Sequence, residues 1–174
     1  LTVFDAEELP THGGSLRVFA QRSDCGQQAR SPRVDELLRR ETDAGMLDLD
    51  RYAGFQRHTD QVKNDFLAFL LDARRKGKTV AAYGAAAKGN TLMNYAGVRP
   101  DLISFVVDRN PAKQSKYMPG SRIPIVEESH LKEARPDFIV ILPWNLKTEL
   151  ARQLEYAREW GARFVTAVPA LEVS

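Results

Sequence analysis

The chain has 174 residues, enough for one ordinary domain or one and a half, and its 43% hydrophobic share suffices for a packed core. A formal charge of +2 leaves no footprint for a nucleic-acid partner, no apolar run reaches the roughly 18 residues of a membrane span, and the N-terminus lacks the basic-then-apolar pattern of a secretory signal. A cytoplasmic setting is the expectation, and the single cysteine, Cys25, cannot form an internal disulfide.

Two strands are predicted first, at residues 2–6 and 15–20, joined by a polar link over 7–14 that ends in His12, Gly13 and Gly14. In the second strand Ser15, Arg17 and Phe19 face one way, with Leu16, Val18 and Ala20 opposite. Such a hairpin is marginal alone and usually extends a larger sheet. With Leu1 in place of an initiating methionine, it suggests a piece of something longer. The segment 21–32 is polar and turn-rich. A short helix is expected over 34–44, then a long one over 48–75, with Asp48 as N-cap and Gly77 as its stop. Tyr52, Phe55, Val62, Phe66, Phe69 and Leu70 recur at three-or-four spacing and make an apolar stripe, core by default. At about 1.5 Å per residue this helix would reach about 40 Å and serve as a connector. His58 is read as a residue of the helix face.

From Thr79 onward strands and helices alternate. Strands are predicted at 79–83, 103–107, 123–126, 138–142 and 163–167, and helices at 90–96, 128–134 and 145–160. The expected fold class is α/β: a Rossmann-like, doubly wound, mainly parallel sheet with right-handed crossovers, preceded by the long helix and the N-terminal hairpin. Ligands in such sheets sit at the carboxyl ends of the strands. The loops 84–90, 108–110 and 143–145 can therefore face one crevice.

The first of these loops carries the strongest signal. Thr79, Val80, Ala81, Ala82 and Tyr83 run into Gly84, and Gly89 opens a segment with Leu92, Met93, Tyr95 and Ala96 in helical spacing. A strand, tight loop and helix in that order expose backbone N–H groups at a positive helix end, which suits a phosphate or another anion, and Lys88 adds a full charge. Gly84, Ala86 and Gly89 hold the positions of a dinucleotide fingerprint, but alanine replaces the glycine of closest approach, so an ordinary nicotinamide site fits poorly. Asn90 stands where a P-loop needs lysine, which rejects a nucleoside triphosphatase. The plain alternative is that the two glycines only turn the chain between a strand and a helix.

Other loop residues carry two readings each. Asp108, 24 residues after Gly84, matches a ribose-binding acid, yet Asp-Arg-Asn-Pro is also a good turn. Trp144 can stack on a base or sugar face or cover the sheet edge, and Asn145 can bond a ligand or cap the following helix. Pro119, Gly120 and Pro124 describe a rigid turn. Glu127 and Glu128 favour the positive end of a helix. His12 and His130 are isolated, no metal-ligand spacing occurs, and no nucleophile or base with an orienting partner stands out.

Four segments in this order carry a resemblance: ELPTHGGSLRVFA (8–20), YGAAAKGNTLMNY (83–95), VVDRNPAKQSKYMPGSRIPI (106–125) and ILPWNL (141–146). The chain resembles the C-terminal part of the sugar C-methyltransferases, enzymes that use S-adenosylmethionine on nucleotide-linked deoxysugars. The resemblance implies that 1–22 is the closing hairpin of a methyltransferase domain, 23–77 a helical connector and 78–174 the Rossmann-like C-terminal domain. It also implies the reaction: a base takes a proton beside a keto group of the sugar, and the enolate attacks the methyl of S-adenosylmethionine. In the family the cofactor site, the tyrosine and Glu-His pair of the chemistry, and a zinc-binding N-terminal domain lie upstream. No catalytic residue is therefore expected here, and the isolated chain is expected to be inactive. The implied sugar-nucleotide contacts are Gly84, Ala85, Ala86, Ala87, Lys88, Gly89, Asn90, Asp108, Trp144 and Asn145. The implied cleft rim is His12, Gly13, Gly14, Ser15 and Arg17. Two rivals remain at this stage: an NAD(P)-dependent oxidoreductase domain, with Asp108 or Arg109 selecting the ribose, and a non-catalytic docking module.

Overall fold

The computed structural model describes residues 1–174, which form two compact units, Leu1–Gln56 and Arg57–Ser174. In the first, β1 (Thr2–Leu9) pairs antiparallel with β2 (Ser15–Gln21), from Thr2 opposite Gln21 to Leu9 opposite Ser15. β1 runs three residues beyond its expected end. Glu7 and Glu8 look like link residues by polarity, but Glu7 lies opposite Arg17 at 3.4 Å, and the two guanidinium nitrogens of Arg40 each sit 2.8 Å from the Glu8 carboxylate. Arg40 belongs to α1 (Pro32–Asp43), which starts with Pro32 in its first turn and with Ser31 accepting the Arg33 N–H at 3.3 Å. The Ser31 N–H donates to the Phe4 carbonyl at 2.7 Å, Arg33 pairs with Asp5, and Ala6 and Val34 are buried.

The long helix expected over 48–75 is two helices. α2 (Leu49–Ala53), capped by Asp48 accepting the Asp50 N–H at 3.0 Å, ends at Gly54, and α3 (Phe55–Arg75) follows. Glycine is a poor helix former, and Tyr52 and Phe55 beside it are 54% and 69% exposed, so little burial opposes the break. The 21 residues of α3 span about 32 Å. Only the latter part of the apolar stripe is core: Phe66 and Leu70 are fully buried, and Phe69 meets Phe138 edge-on at 5.1 Å. Gly77, at φ 66°, ends the helix while the Lys78 N–H donates back to Ala73 O at 2.9 Å.

The second unit is built on a six-stranded sheet whose elements are β3 (Val80–Tyr83), α4 (Ala87–Tyr95), β4 (Val106–Val107), β5 (Ile125–Val126), α5 (Ser129–Ala134), β6 (Phe138–Ile141), α6 (Lys147–Gln153), β7 (Arg163–Thr166) and β8 (Glu172–Val173). The strands lie in the order β5-β4-β3-β6-β7-β8, the doubly wound Rossmann-like order. All pairs are parallel except β7 with β8, an antiparallel edge too short to announce itself in sequence. β3 is an unbroken buried run because both faces are covered: Val80 and Ala82 pack with Phe66, Leu70 and Met93, while Ala81 and Tyr83 pack with Leu131, Leu150 and Leu154. The helix expected over 145–160 is α6 between 3-10 segments at Trp144–Leu146 and Glu155–Trp160. No helix is long and apolar enough to cross a membrane.

At the amino end of the sheet Asp137 ties β3 to β6, accepting from Lys78 Nζ at 2.9 Å, the Thr79 N–H at 2.8 Å and Thr79 Oγ1 at 2.9 Å. The Lys78 hydrogen bond, then the Thr79 N–H, pulls the Asp137 carboxyl down to about 2 from an ordinary value of 3.8. A carboxyl lowered on folding adds stability that is complete above its unfolded value and is lost as pH falls, here from about 4 to about 2. Asp137→Asn is expected to flatten that stretch of the stability profile, measured as urea midpoint against pH.

Candidate functional site

β3 and β6 are the neighbours at which the strand order reverses, and the loops leaving their carboxyl ends meet there. Gly84 leaves β3 with φ 86°, and its N–H donates to Val107 O at 2.7 Å. A Cβ at Gly84 would lie 2.5 Å from Pro143 Cγ, and one at Gly89 would lie 2.6 Å from Leu142 Cβ. Both glycines are therefore needed for close packing of the loop and of α4 against the end of β6, beyond the turn itself.

Ala86 precedes α4 as its N-cap and offers no side-chain acceptor. The N–H groups of Ala87, Lys88 and Gly89 lie in the first turn, which has no intrahelical carbonyls to receive them. The Lys88 ammonium lies 4.6 Å from the centre of the Trp144 ring and donates to Asn145 Oδ1. Asn145 does not cap α6, which begins without a side-chain cap. Lys88, Trp144 and Asn145 thus form one half-buried cluster beside the open helix end, positive in charge and aromatic on one side.

Asp108 is drawn inward. Its Oδ2 accepts from the Ala85 N–H at 2.8 Å and Lys113 Nζ at 3.1 Å, and its Oδ1 accepts from the Asn110 N–H at 2.8 Å. Lys113 also donates to Ala85 O at 3.0 Å, so both polar groups of that residue are held. Burial pushes the Asp108 carboxyl up, but the Asn110 N–H, Lys113 and the Ala85 N–H outweigh it, leaving it below the ordinary carboxylate value. Asp108 and Lys113 brace the loop from behind, a role for which Lys113 gave no local signal in the sequence.

A second network lies across the sheet at the same carboxyl end. Glu128 accepts from Tyr83 OH at 3.1 Å, Tyr156 OH at 3.0 Å and Arg109 Nε at 2.9 Å, and Gln153 donates to Tyr83 OH. Burial and then the Glu128 charge push the Tyr83 phenol up to about 12. Spacing shows Glu128 only as a helix-end residue, since its tyrosine partners lie 45 and 28 positions away.

On the other side of the loop a cavity of about 700 Å³ opens between the start of α4 and the segment 112–119. Asn90 lines it, and Asn90 Oδ1 is buried without a hydrogen-bond partner, an omission that costs about 1–3 kcal/mol. The remaining sequence-identified residues, His12, Gly13, Gly14, Ser15 and Arg17, lie in the first unit at the hairpin turn and the start of β2. There the Gly14 N–H donates to Thr11 O at 3.0 Å, Ser15 Oγ donates to Thr11 O at 2.9 Å, and Arg17 faces Glu7.

A family model for the C-methyltransferase C-terminal domain matches residues 10–169. The chain is also similar to the C-methyltransferase NovU of Streptomyces niveus, at 34% identity over 169 residues that make up 97% of this chain and 40% of that protein. The chain therefore spans about 40% of the length of that curated relative. With the match running through both units and nearly from end to end, the chain belongs to the C-methyltransferase C-terminal domain family.

Proposed function

We propose that this chain is the ligand-gripping part of a C-methyltransferase that moves a methyl group from S-adenosylmethionine to a keto deoxysugar carried on a nucleotide. The observation that carries the reading is Lys88, held by Asn145 and Trp144 beside the uncapped N–H groups of α4 at the point where the strand order reverses. A nucleotide sugar brings a diphosphate, and a positive, donor-rich helix end complements it. His12, Gly13, Gly14, Ser15 and Arg17 are kept as rim residues for the part of the enzyme that performs the chemistry.

The methyl donor does not fit the residues of this chain. It carries a sulfonium cation, which Lys88 repels, and the oxygens of Asp108 are already engaged by Ala85, Asn110 and Lys113. Zinc fits no better, since no group of three His, Cys, Asp or Glu side chains is gathered. Both are assigned to the remainder of the enzyme, and the isolated chain is expected not to turn over. The engagement of Asp108 also counts against a nicotinamide domain, which needs that carboxylate for ribose.

Lys88→Ala in the complete enzyme is expected to weaken binding of the nucleotide sugar about tenfold, the loss of one charge-assisted contact, and to leave the Kd for S-adenosylmethionine unchanged. Unaltered sugar-nucleotide affinity would make the loop a structural turn. Tight one-to-one binding of S-adenosylmethionine to the isolated chain would overturn the assignment of the cofactor elsewhere. A larger thermal shift with NADH or NADPH than with nucleotide sugars would favour the oxidoreductase reading.

A further inference from the structure

We infer that the cavity between α4 and the segment 112–119 seats the nucleobase of the sugar nucleotide, which fixes the direction in which the ligand lies across the loop; the inference rests on the nucleotide-sugar reading above. The cavity's volume of about 700 Å³ falls in the range of small-molecule pockets. It exists because Ala85, Ala86 and Ala87 along one wall carry nothing beyond Cβ. Its apolar lining includes Met118 and Ile125, which are 2% and 5% exposed. At its rim Tyr117 is 66% exposed, a large flat ring free to stack on a base.

The far wall is already in place. Asn94 Nδ2 donates to Pro119 O at 2.9 Å, and Arg99 donates to Gly120 O at 3.0 Å, latching the Pro119 turn to α4 and the chain just after it. A Cβ on Gly120 would come within 2.2 Å of Asn94 Oδ1, so this turn is packed against the helix. A preformed wall costs a ligand little ordering on binding.

Asn90 supplies the polar recognition. Its side-chain amide oxygen is buried without a hydrogen-bond partner. Turning that amide toward the cavity presents an acceptor and two donors to a base edge that carries an N–H beside a carbonyl or ring nitrogen. The unmet hydrogen bond is then made by ligand. The cavity abuts the first turn of α4 through Ala86 and Ala87, so a diphosphate attached to a seated base reaches the N–H groups of Ala87, Lys88 and Gly89. The sugar continues toward Trp144 and Asn145 on the β6 side.

The test compares nucleoside diphosphates with inorganic pyrophosphate, which has no base, by titration calorimetry on the complete enzyme. Tyr117→Ala and Thr91→Trp alter exposed positions of the wall, the second filling the space, and Tyr117→Phe keeps the ring. Thymidine, uridine and adenosine diphosphates are each titrated, and the thermal melting point of every variant confirms folding. Expected are a tenfold or greater loss of nucleoside-diphosphate affinity in Tyr117→Ala and Thr91→Trp, near-normal affinity in Tyr117→Phe, and unchanged pyrophosphate affinity in all three. Nucleoside diphosphates that bind wild type and both wall variants equally would overturn the seat while leaving the nucleotide-sugar reading intact. Equal losses for pyrophosphate would overturn it too, because the wall would then act on the loop and not on a base. Failure of every nucleotide and nucleotide sugar to bind the wild-type enzyme would sink both.

Discussion

Phe66→Ala is expected to remove about 3–5 kcal/mol from the stability of the second unit. The ring is fully buried on α3, against the sheet face that holds Val80, Ala82, Val140 and Val165. The sheet cannot refill the space, because β3 contributes an alanine there and its neighbours are β-branched valines with restricted rotamers. Leu70, four residues further along α3 and also fully buried, shares the seam, so the void would lie inside the packing and not at its margin. Phe66→Leu, which keeps most of the volume, should cost about 1–2 kcal/mol. The check is urea denaturation followed by far-ultraviolet circular dichroism, with a shifted midpoint and an unchanged slope. A loss below about 1 kcal/mol would mean that α3 does not clamp this face.

At Gly84 the second large effect has two separable parts. Gly84→Ala forces a side chain into φ 86°, a backbone cost of about 1–2 kcal/mol, and drives a Cβ to 2.5 Å from the Pro143 ring, an overpacking cost of about 1–3 kcal/mol. The proline ring cannot swing aside as a flexible side chain would. In a double-mutant cycle, Pro143→Ala should recover the overpacking part and leave the backbone part, a coupling of about 1–3 kcal/mol. The single variant should also lose nucleotide-sugar affinity, because the first turn of α4 moves with the loop. A Gly84→Ala protein as stable as wild type would show that the loop yields freely, which would also remove the case for a preorganised anion site.

The parts of the fold legible in sequence were those encoded by neighbours. The buried run of β3, the glycine loop and the periodic start of α4 are contiguous, and each obeys a local rule of period or turn chemistry. The break at Gly54 was hidden because helical spacing continued through it, and only the structure shows that Tyr52 and Phe55 on either side of the weak residue stay more than half exposed. The end of β1 was hidden for the opposite reason: Glu7 and Glu8 look like loop until Arg17 and Arg40 arrive from 10 and 32 positions away.

The site divides along the same line. Lys88 stood out because it sits inside the loop, and the convergence of the β3 and β6 loops followed from the order of the elements. What Asp108 and Asn145 do there was not readable. Asp108 could bind ribose or make a turn, and in the structure it spends its oxygens bracing Ala85; Asn145 could bond a ligand or cap a helix, and it holds the ammonium of Lys88. Such partnerships span 23 and 57 positions and exist only once the strands are ordered. The cavity was missed for a similar reason, since Pro119 and Gly120 read as a rigid turn and gave no hint that Asn94 fastens that turn across an open space.

The position of Trp144 under the Lys88 ammonium gives the protein a built-in optical probe. The chain has two indoles, and the other, Trp160, is fixed elsewhere by donating its ring N–H to Pro136 O at 3.1 Å. An anion that draws the ammonium away from the Trp144 face alters the field on that ring and hence its emission wavelength and yield, while Trp160 supplies a constant background. In a Trp160→Phe version of this 174-residue chain the indole signal would come from the ring beside the loop, so occupancy of that loop could be followed in stopped flow without a label.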